Sequence, residues 1–261
     1  MSGGVKDRAV RIAMWSGPRS ISTTLMRSWQ SRDDTFVTDE PFYACYLSIT
    51  GVDHPGREKA MASQSTDWRE VAAWITGPVP QGKKVWYQKH MAHHLLPQMD
   101  RKWLDEMVNC FLIRDPGEVL LSYKRTRQEV TADDLGYERL KEIFELVKEN
   151  CGEVPPVVDA RDILQNPKRV LTLLCQRVGI PFSEEMLSWP AGRQETDGIW
   201  GKYWYQNLEK STGYLPYRPK SERLSGDLEP IYEQALEVYS FLREFRLSGS
   251  ADRKDGRTVG L

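Results

Sequence analysis

Short apolar runs alternate along the chain with segments of helical spacing, and this alternation predicts the fold. Residues 10–15 are mostly apolar and end at a Ser-Gly-Pro turn, after which residues 22–32 carry apolar side chains at helix-compatible intervals. This stretch predicts a strand, a tight turn and a helix. Further apolar runs predict four more strands, at residues 35–38, 85–88, 107–113 and 157–159.

Helical spacing fills much of the chain between and after these strands. The predicted helices are residues 58–64, 68–76, 116–127, 134–149, 167–178 and 228–245. Because apolar strands alternate with helices, we expect an α/β fold with a mostly parallel central sheet flanked by helices. We expect one domain over residues 1–246 with a helical insertion near 41–80, then a disordered tail over 247–261, which is small, polar and charged.

Composition and charge narrow the classes of partner. The chain has 261 residues with a formal net charge of -1, which gives no overall attraction to nucleic acid or anionic lipid. No apolar run approaches the roughly 20 residues that span a bilayer. We therefore expect no nucleic-acid or membrane partner, and a small anionic ligand held by local geometry. Without an apolar signal core at the N-terminus and without a CxxC pair, we expect a cytoplasmic protein with free thiols.

The turn after the first strand has the composition of an anion site. A strand that passes through a tight turn into a helix directs free backbone N–H groups and the positive end of the helix dipole to one point. Arg19 adds a permanent charge there, and hydroxyl groups surround it. The residues predicted to bind the anion are Gly17, Pro18, Arg19, Ser20, Ile21, Ser22, Thr23 and Thr24. The alternative is an ordinary helix capped by serine or threonine.

This turn differs from a nucleoside-triphosphate loop. The GxxxxGK[ST] pattern uses a lysine on the phosphates and a hydroxyl on magnesium, and here the second glycine and the lysine are both absent. No apolar strand ends in a carboxylate at a convincing magnesium position. ATP or GTP hydrolysis is therefore a minority hypothesis.

A second candidate phosphate motif follows the fourth predicted strand. That strand ends at Arg114, Pro116 opens the next helix, and Ser122 follows about two turns later. Ligands of open α/β sheets lie beyond the carboxyl ends of the strands, so we expect Arg114 to share a crevice with the first turn. The alternative is a surface arginine at a strand end, unrelated to ligand binding.

Together the two motifs resemble those of sulfotransferases. Residues 17–25 are similar to the GxPRSGSTLL phosphosulfate loop of that family, with Ile21 at the usual glycine position, and residues 114–122 are similar to its RDPxxxxxS arrangement. The resemblance implies a P-loop-type, three-layer α/β fold and 3′-phosphoadenosine 5′-phosphosulfate as co-substrate, with no metal. It also implies that Arg114 and Ser122 hold the 3′-phosphate. Because Ile21 is β-branched, we expect it to avoid positive φ.

Two residues are candidates for the general base. Sulfuryl transfer needs an in-line nucleophile, a base, and positive charge near the leaving oxygen, which Arg19 can supply. Glu40 follows the second strand, where several sulfotransferases carry a catalytic glutamate. His90 follows the third predicted strand and resembles the base histidine of the cytosolic enzymes, with Lys89 beside it to steady the sulfuryl oxygens. We rank Glu40 before His90, and expect His93 and His94 to be packing or loop groups.

The acceptor and the C-terminal part of the site are less defined. We expect a small-molecule acceptor with a hydroxyl or amine, and the aromatic stretch 200–205 offers rings that could pack in the core or wall its pocket. Lys210 and Gly213 lie where sulfotransferases close a basic segment over the 3′-phosphate. The alternatives are a kinase-like phosphotransferase using ATP and magnesium, or a non-catalytic nucleotide-binding module. A homo-oligomer stays an open alternative to a monomer.

Overall fold

Five strands form a single sheet at the centre of the computed structural model, which describes residues 9–124, 130–206, 208–220, 222 and 224–248. The strands are β1 (Val10–Ser16), β2 (Thr35–Asp39), β3 (Val85–Met91), β4 (Val108–Ile113) and β5 (Val157–Asp159). Their order is β2-β3-β1-β4-β5, and every neighbouring pair is parallel. The predicted α/β class with a central parallel sheet is confirmed.

Helices follow most strands. In chain order the described α-helices are α1 (Ser22–Gln30), α2 (Tyr43–Thr50), α3 (Arg57–Ser63), α4 (Trp68–Thr76), α5 (Pro116–Tyr123), α6 (Ala132–Leu135), α7 (Tyr137–Cys151), α8 (Ala160–Gln165), α9 (Pro167–Arg177), α10 (Gly201–Trp204) and α11 (Glu229–Arg243). Among the described residues, none of these helices is both long and apolar enough to cross a bilayer.

Alternation along the strands divides the core into two apolar layers, one on each face of the sheet. On one face, Trp15 and Phe111 pack with side chains of α4, α5, α7 and α11. On the other face, Met14 and Leu112 pack with side chains of α1, α8 and α9. The protein therefore has three layers, and the carboxyl ends of all five strands lie along the same edge of the sheet.

The structure changes several predicted boundaries. The helix predicted over 134–149 is two helices, because Gly136 has φ 70 and separates α6 from α7. Strand β3 continues to Met91, three residues beyond its predicted end, so Lys89 and His90 lie within the strand. Helix α5 ends at Tyr123, and residues 125–127 of the predicted helix lie outside the described residues. Most of the predicted tail, residues 249–261, also lies outside them.

The C-terminal part of the chain packs beside the edge of the sheet where the strands end. Between β2 and β3, helices α2 and α3 pack Tyr43, Leu47 and Ala60 against Trp200 and Tyr205 from the C-terminal part of the chain. The buried guanidinium of Arg27 on α1 pairs with Asp197 at 2.6 Å, which fixes the same C-terminal segment to the opposite side. This segment therefore lies beside the carboxyl ends of the strands.

Candidate active site

The turn between β1 and α1 adopts a strained backbone. Arg19 has φ 60 and Ile21 has φ 59, both in the left-handed region. The expectation that Ile21 avoids positive φ was wrong, because its side chain packs against the apolar layer that α1 covers. This conformation costs about 1–2 kcal/mol for a residue with a β-carbon. Strain of this kind clusters at functional sites. Ile21 is also the N-cap of α1 and makes no side-chain cap, so α1 does not begin with a serine or threonine cap.

Position 17 requires glycine because the backbone of the turn lies very close to the end of α6. A β-carbon at Gly17 would lie 2.5 Å from the carbonyl oxygen of Leu135, at the end of α6. Such a contact is far too short, so only glycine lets the turn lie against α6 in this position. Gly17 itself does not line the cavity described below, whereas residues 18–24 do.

The two predicted anion motifs lie together. The Nε atom of Arg19 donates to Ser122 Oγ at 3.0 Å, and Nη1 of Arg114 donates to the carbonyl oxygen of Arg19 at 2.7 Å. Their contacts join the first turn to α5 and to the end of β4. The parallel sheet produces this meeting, because β1 and β4 are neighbours and end at the same edge.

A carboxylate holds the guanidinium of Arg114 in place. Glu118 Oε2 accepts from Nε and Nη2 of Arg114 at 2.9 Å each. Tyr217 donates its hydroxyl to Glu118 Oε1 at 2.7 Å, and Lys220 donates to the Glu118 carbonyl at 2.7 Å. A guanidinium has five N–H donors, and these contacts use three of those of Arg114. Among the residues that the structure describes, the other two N–H donors of Arg114 have no partner.

Arg19, Arg114 and Ser122 form a group that we call the clamp. A cavity of about 510 Å³ connects the clamp with a second cluster of ionisable groups. The volume is within the range of small-molecule sites. Besides residues 18–24, the cavity is lined by Glu40, Tyr43, Tyr46, His54, Lys89, Met91, His93, His94, Arg114, Glu118, Ser122, Tyr123, Asp134, Leu164, Trp204, Tyr205, Leu208, Ser211, Gly213, Leu215, Pro216, Tyr217 and Arg218. One end of it is rich in hydrogen-bond donors and the other is rich in aromatic rings.

Lys89 and two carboxylates form the second cluster. The Nζ atom of Lys89 donates to Asp39 Oδ1 at 2.8 Å, to the Tyr205 hydroxyl at 3.0 Å and to Glu40 Oε1. Tyr205 also donates to Asp39 Oδ2 at 2.7 Å. An ammonium group has three N–H donors, so these contacts use all those of Lys89. Lys89 therefore holds Glu40 in position and has no donor left for sulfuryl oxygens in this arrangement.

Burial and charge shift the ionisation of this cluster. Burial raises the pKa of Glu40 above its ordinary value of 4.5, Asp39 adds to the rise, and Lys89 opposes it. Burial works against the charge of Lys89, but Asp39 and Glu40 outweigh it and hold the pKa of Lys89 well above 10.5. Glu40 also has φ 43, another strained residue at the cavity wall. A raised carboxyl pKa in a cavity is typical of a general base.

Aromatic rings surround the far end of the cavity. The imidazole of His94 stacks with Tyr43 and Tyr46, whose ring centroids are 5.1 Å and 4.7 Å away. The Tyr43 hydroxyl is 3.0 Å from Nδ1 of His54, and His54 in turn contacts Trp204. Helix α2 with the loop after it, the turn after β3, and α10 supply these rings, so three separate parts of the chain build one wall.

The predicted site residues separate into three groups. Arg19, Arg114, Ser122, Glu40 and Lys89 come together at the cavity. His90 lies within β3, packs against Trp15 and Trp103, and hydrogen-bonds Gln88 at 3.1 Å instead of lining the cavity. Burial and, to a smaller extent, the charge of Lys89 lower the pKa of His90 to about 3. Of the predicted lid pair, Gly213 lines the cavity, while Lys210 is exposed and does not.

Several cavity residues were not predicted from the sequence. His94 was expected to be a packing group, and Tyr43 and Tyr46 stood in a region expected only to be helical. Tyr217 belongs to a segment without regular spacing, whereas Tyr205 lies in the aromatic stretch 200–205 that was expected either in the core or at the acceptor pocket. The cluster of His93 and His94 after an apolar strand was the one available signal. Among the residues that the structure describes, no three His, Cys, Asp or Glu side chains are grouped as metal ligands.

Comparison with known proteins identifies a family. The model of the family described as "Sulfotransferase domain" matches residues 10–243 of the chain. Branched-chain-amino-acid aminotransferase-like protein 2 of Arabidopsis thaliana is 34% identical over 234 residues, covering 89% of this chain and 41% of that protein. The chain therefore spans about two fifths of the length of this curated relative.

Solved structures of similar fold are sulfotransferase domains. The domain from the Synechococcus PCC 7002 olefin synthase has a TM-score of 0.56 at 19% identity, covering 89% of this chain and 95% of that one. The domain from the curacin biosynthetic pathway has a TM-score of 0.53 at 16% identity, covering 92% of this chain and 99% of that one. At these identities the likeness shows the fold.

Proposed function

The chain belongs to the sulfotransferase domain family, and from that premise we propose that it transfers a sulfuryl group from 3′-phosphoadenosine 5′-phosphosulfate (PAPS) to a hydroxyl group of a small molecule. The observation that carries the proposal is the meeting of the two anion motifs with an ionisable carboxylate at one cavity. Arg19 contacts Ser122, Arg114 contacts Arg19, and Glu40 lines the same cavity.

The donor fits the residues at the clamp. Arg114 keeps two N–H donors for the 3′-phosphate, beside the Ser122 hydroxyl. The first turn of α1 offers backbone N–H groups and hydroxyls to the phosphosulfate, and Arg19 adds charge. Tyr217 and Arg218 line the cavity near Glu118, where a segment over the adenosine would lie.

Glu40 is the general base of the proposed reaction. When bound, PAPS supplies an electrophilic sulfur joined through oxygen to a phosphate. Glu40 takes the proton of the acceptor hydroxyl, whose oxygen forms the new bond to sulfur. The bond from sulfur to the phosphate oxygen breaks, and that oxygen keeps the electron pair. Arg19 and the N–H groups of the turn stabilise this charge as it develops.

Lys89 has an electrostatic role in this proposal. Its ammonium binds Oε1 of Glu40 and favours the ionised carboxylate, and Asp39 and Tyr205 keep the ammonium in place. The other oxygen, Oε2, is not part of that contact. Glu40 can therefore be held by one oxygen and act with the other.

The test is a transfer assay with radioactive donor. Protein is incubated with [³⁵S]PAPS and a panel of small hydroxyl and amine compounds, and both labelled product and released adenosine 3′,5′-bisphosphate (PAP) are measured. The wild-type protein is expected to give both, and Glu40→Gln to give neither above background while still binding PAP. Phosphoryl transfer from [γ-³²P]ATP with magnesium would instead support a kinase-like enzyme. Tight PAP binding without transfer to any compound would support a non-catalytic module.

A further inference from the structure

The imidazole of His94 is fixed in the cavity wall. It is buried, with 3% of the residue exposed, and the rings of Tyr43 and Tyr46 stack with it at interplanar angles of 20° and 27°. A buried ring that packs against two others has little freedom to rotate about its side-chain bonds. His94 is also one of the residues that line the cavity.

One polar atom of this ring has no hydrogen-bond partner among the described residues. The Nδ1 atom of His94 is buried and unsatisfied, and it lies 3.9 Å from Oε2 of Glu40. That separation is too long for a direct hydrogen bond. A buried polar atom without a partner costs about 1–3 kcal/mol, which a ligand that supplies the partner would recover.

One hydroxyl oxygen can reach both atoms if it lies beside them rather than on the line that joins them. An oxygen about 2.8 Å from each of two atoms separated by 3.9 Å sits at an angle of roughly 90° between them. Such an oxygen can donate its hydrogen to a carboxylate and accept one from an imidazole N–H. Glu40 Oε1 is already bound by Lys89, so Oε2 is the oxygen available for this contact.

We propose that the acceptor hydroxyl binds between Glu40 Oε2 and His94 Nδ1, donating to the first and accepting from the second. This inference rests on the proposed sulfotransferase function. Glu40 removes the proton, and the Nδ1–H of His94 orients the oxygen and stabilises the negative charge that grows on it. The remaining lone pair of that oxygen is directed at sulfur.

The surrounding groups keep His94 neutral, as a donor to an acceptor oxygen requires. Burial lowers its pKa well below 6.5, and His93, Lys89, His54 and His90 each lower it further. Glu40 and Lys89 are the charged groups nearest to it along the wall. A neutral imidazole donates one hydrogen and does not compete with Glu40 for the proton.

The test compares two substitutions at His94. His94→Phe keeps a flat ring against the two tyrosines but has no N–H. His94→Asn instead places an amide nitrogen close to the position of Nδ1. PAP affinity is measured by calorimetry for all three proteins. Transfer of [³⁵S]sulfuryl from PAPS is measured with three hydroxyl probes, 4-nitrophenol, benzyl alcohol and 1-octanol.

The proposal predicts that His94→Phe lowers kcat by about 10- to 100-fold with the best probe, which is the effect of losing one strong hydrogen bond in the reacting complex. His94→Asn is expected to recover at least a third of the wild-type kcat, and PAP affinity to stay within about threefold in both variants. A wild-type kcat in His94→Phe overturns the proposal, and so does an equal loss in both variants.

The outcomes also separate this inference from the function beneath it. If the wild-type protein binds PAP but transfers to none of the three probes, the proposed hydroxyl site between Glu40 and His94 is overturned. The proposed donor site is not affected by that result. Wild-type protein that fails to bind PAP overturns the proposed function itself.

Discussion

The Nε atom of Arg19 donates to Ser122 Oγ at 3.0 Å, although 103 residues separate the two in the sequence. The contact joins a turn after β1 to a helix after β4. Since each residue belongs to a different candidate phosphate motif, the contact converts two separate patterns into one clamp. In the proposed function this clamp holds the phosphates of the donor nucleotide.

We expect Arg114 to increase the affinity for nucleotides that carry a 3′-phosphate over those that lack it. In Arg114→Gln, PAP affinity should fall by roughly 10- to 100-fold, because hydrogen bonds to charged groups contribute about 1.5–3 kcal/mol. Adenosine 5′-phosphate, which has no 3′-phosphate, should lose much less affinity. Calorimetry with both nucleotides measures the difference. Equal losses for the two ligands would mean that Arg114 only supports the turn through the Arg19 carbonyl.

Relief of backbone strain at Ile21 should be measurable as stability. Ile21→Gly removes the penalty of positive φ, while Ile21→Ala removes the same packing and keeps the penalty. The glycine variant is therefore expected to be more stable than the alanine variant by about 1 kcal/mol in urea unfolding. Equal stabilities would contradict the left-handed conformation at this position.

The identity of the base can be tested by a pair of substitutions. Glu40→Gln keeps the shape of the side chain and removes the base, so kcat should fall by at least about 100-fold. His90→Phe retains a ring against Trp15 and Trp103 and should keep most of the kcat per folded molecule. It should lose about 1–3 kcal/mol of stability, because Oε1 of Gln88 then lacks the partner that His90 provides. The reverse pattern of rates would identify His90 as the base.

The pH dependence of turnover should report Glu40. A base must be ionised, so kcat should fall as pH decreases through the Glu40 pKa, which lies above 4.5. Because burial holds the pKa of His94 well below 6.5, we expect His94 to add no step to the profile above pH 6.5. A pH series of initial rates at saturating PAPS checks this, and a loss of activity as pH rises from 6 to 8 would contradict it.

The buried Lys89 should contribute strongly to folding. Lys89→Met leaves Asp39 without its cation, and we expect a loss of about 3–5 kcal/mol in the free energy of unfolding. The double variant with Asp39→Asn should recover part of it. The pKa of Lys89 is higher in the folded protein than in the unfolded chain. The contribution of Lys89 to the free energy of unfolding is therefore fully present below pH 10.5 and is lost as pH rises through the pKa of the folded protein. Alkaline urea titrations of both proteins measure this.

The sheet and the clamp were predictable because their signals are local. Each strand is a short apolar run, and parallel order places the ends of β1 and β4 side by side, so Arg19 and Arg114 could be expected to meet. The expectation that His90 follows the third strand was wrong, because the end of that strand was placed too early. Strand β3 continues to Met91, and alternation along it turns His90 toward Trp15 while Lys89 reaches the cavity.

Other parts of the site depend on packing between distant segments. Tyr205 and Tyr217 reach the cavity because Arg27 pairs with Asp197 and because Tyr217 bonds Glu118. Neither contact leaves a periodic pattern in the sequence. The positive φ of Ile21 runs against the intrinsic preference of a β-branched residue, and its partly buried side chain packs against the apolar layer under α1.

In the proposed function the clamp binds the two phosphates of PAP without a metal, and calorimetry can measure this binding. PAP is titrated into the protein in the presence of EDTA, and ATP with magnesium is titrated into a parallel sample. We expect PAP to bind with a Kd on the order of 1 μM, at least about tenfold tighter than magnesium-ATP. Magnesium-ATP binding more tightly than PAP, or no PAP binding at millimolar concentration, would contradict it.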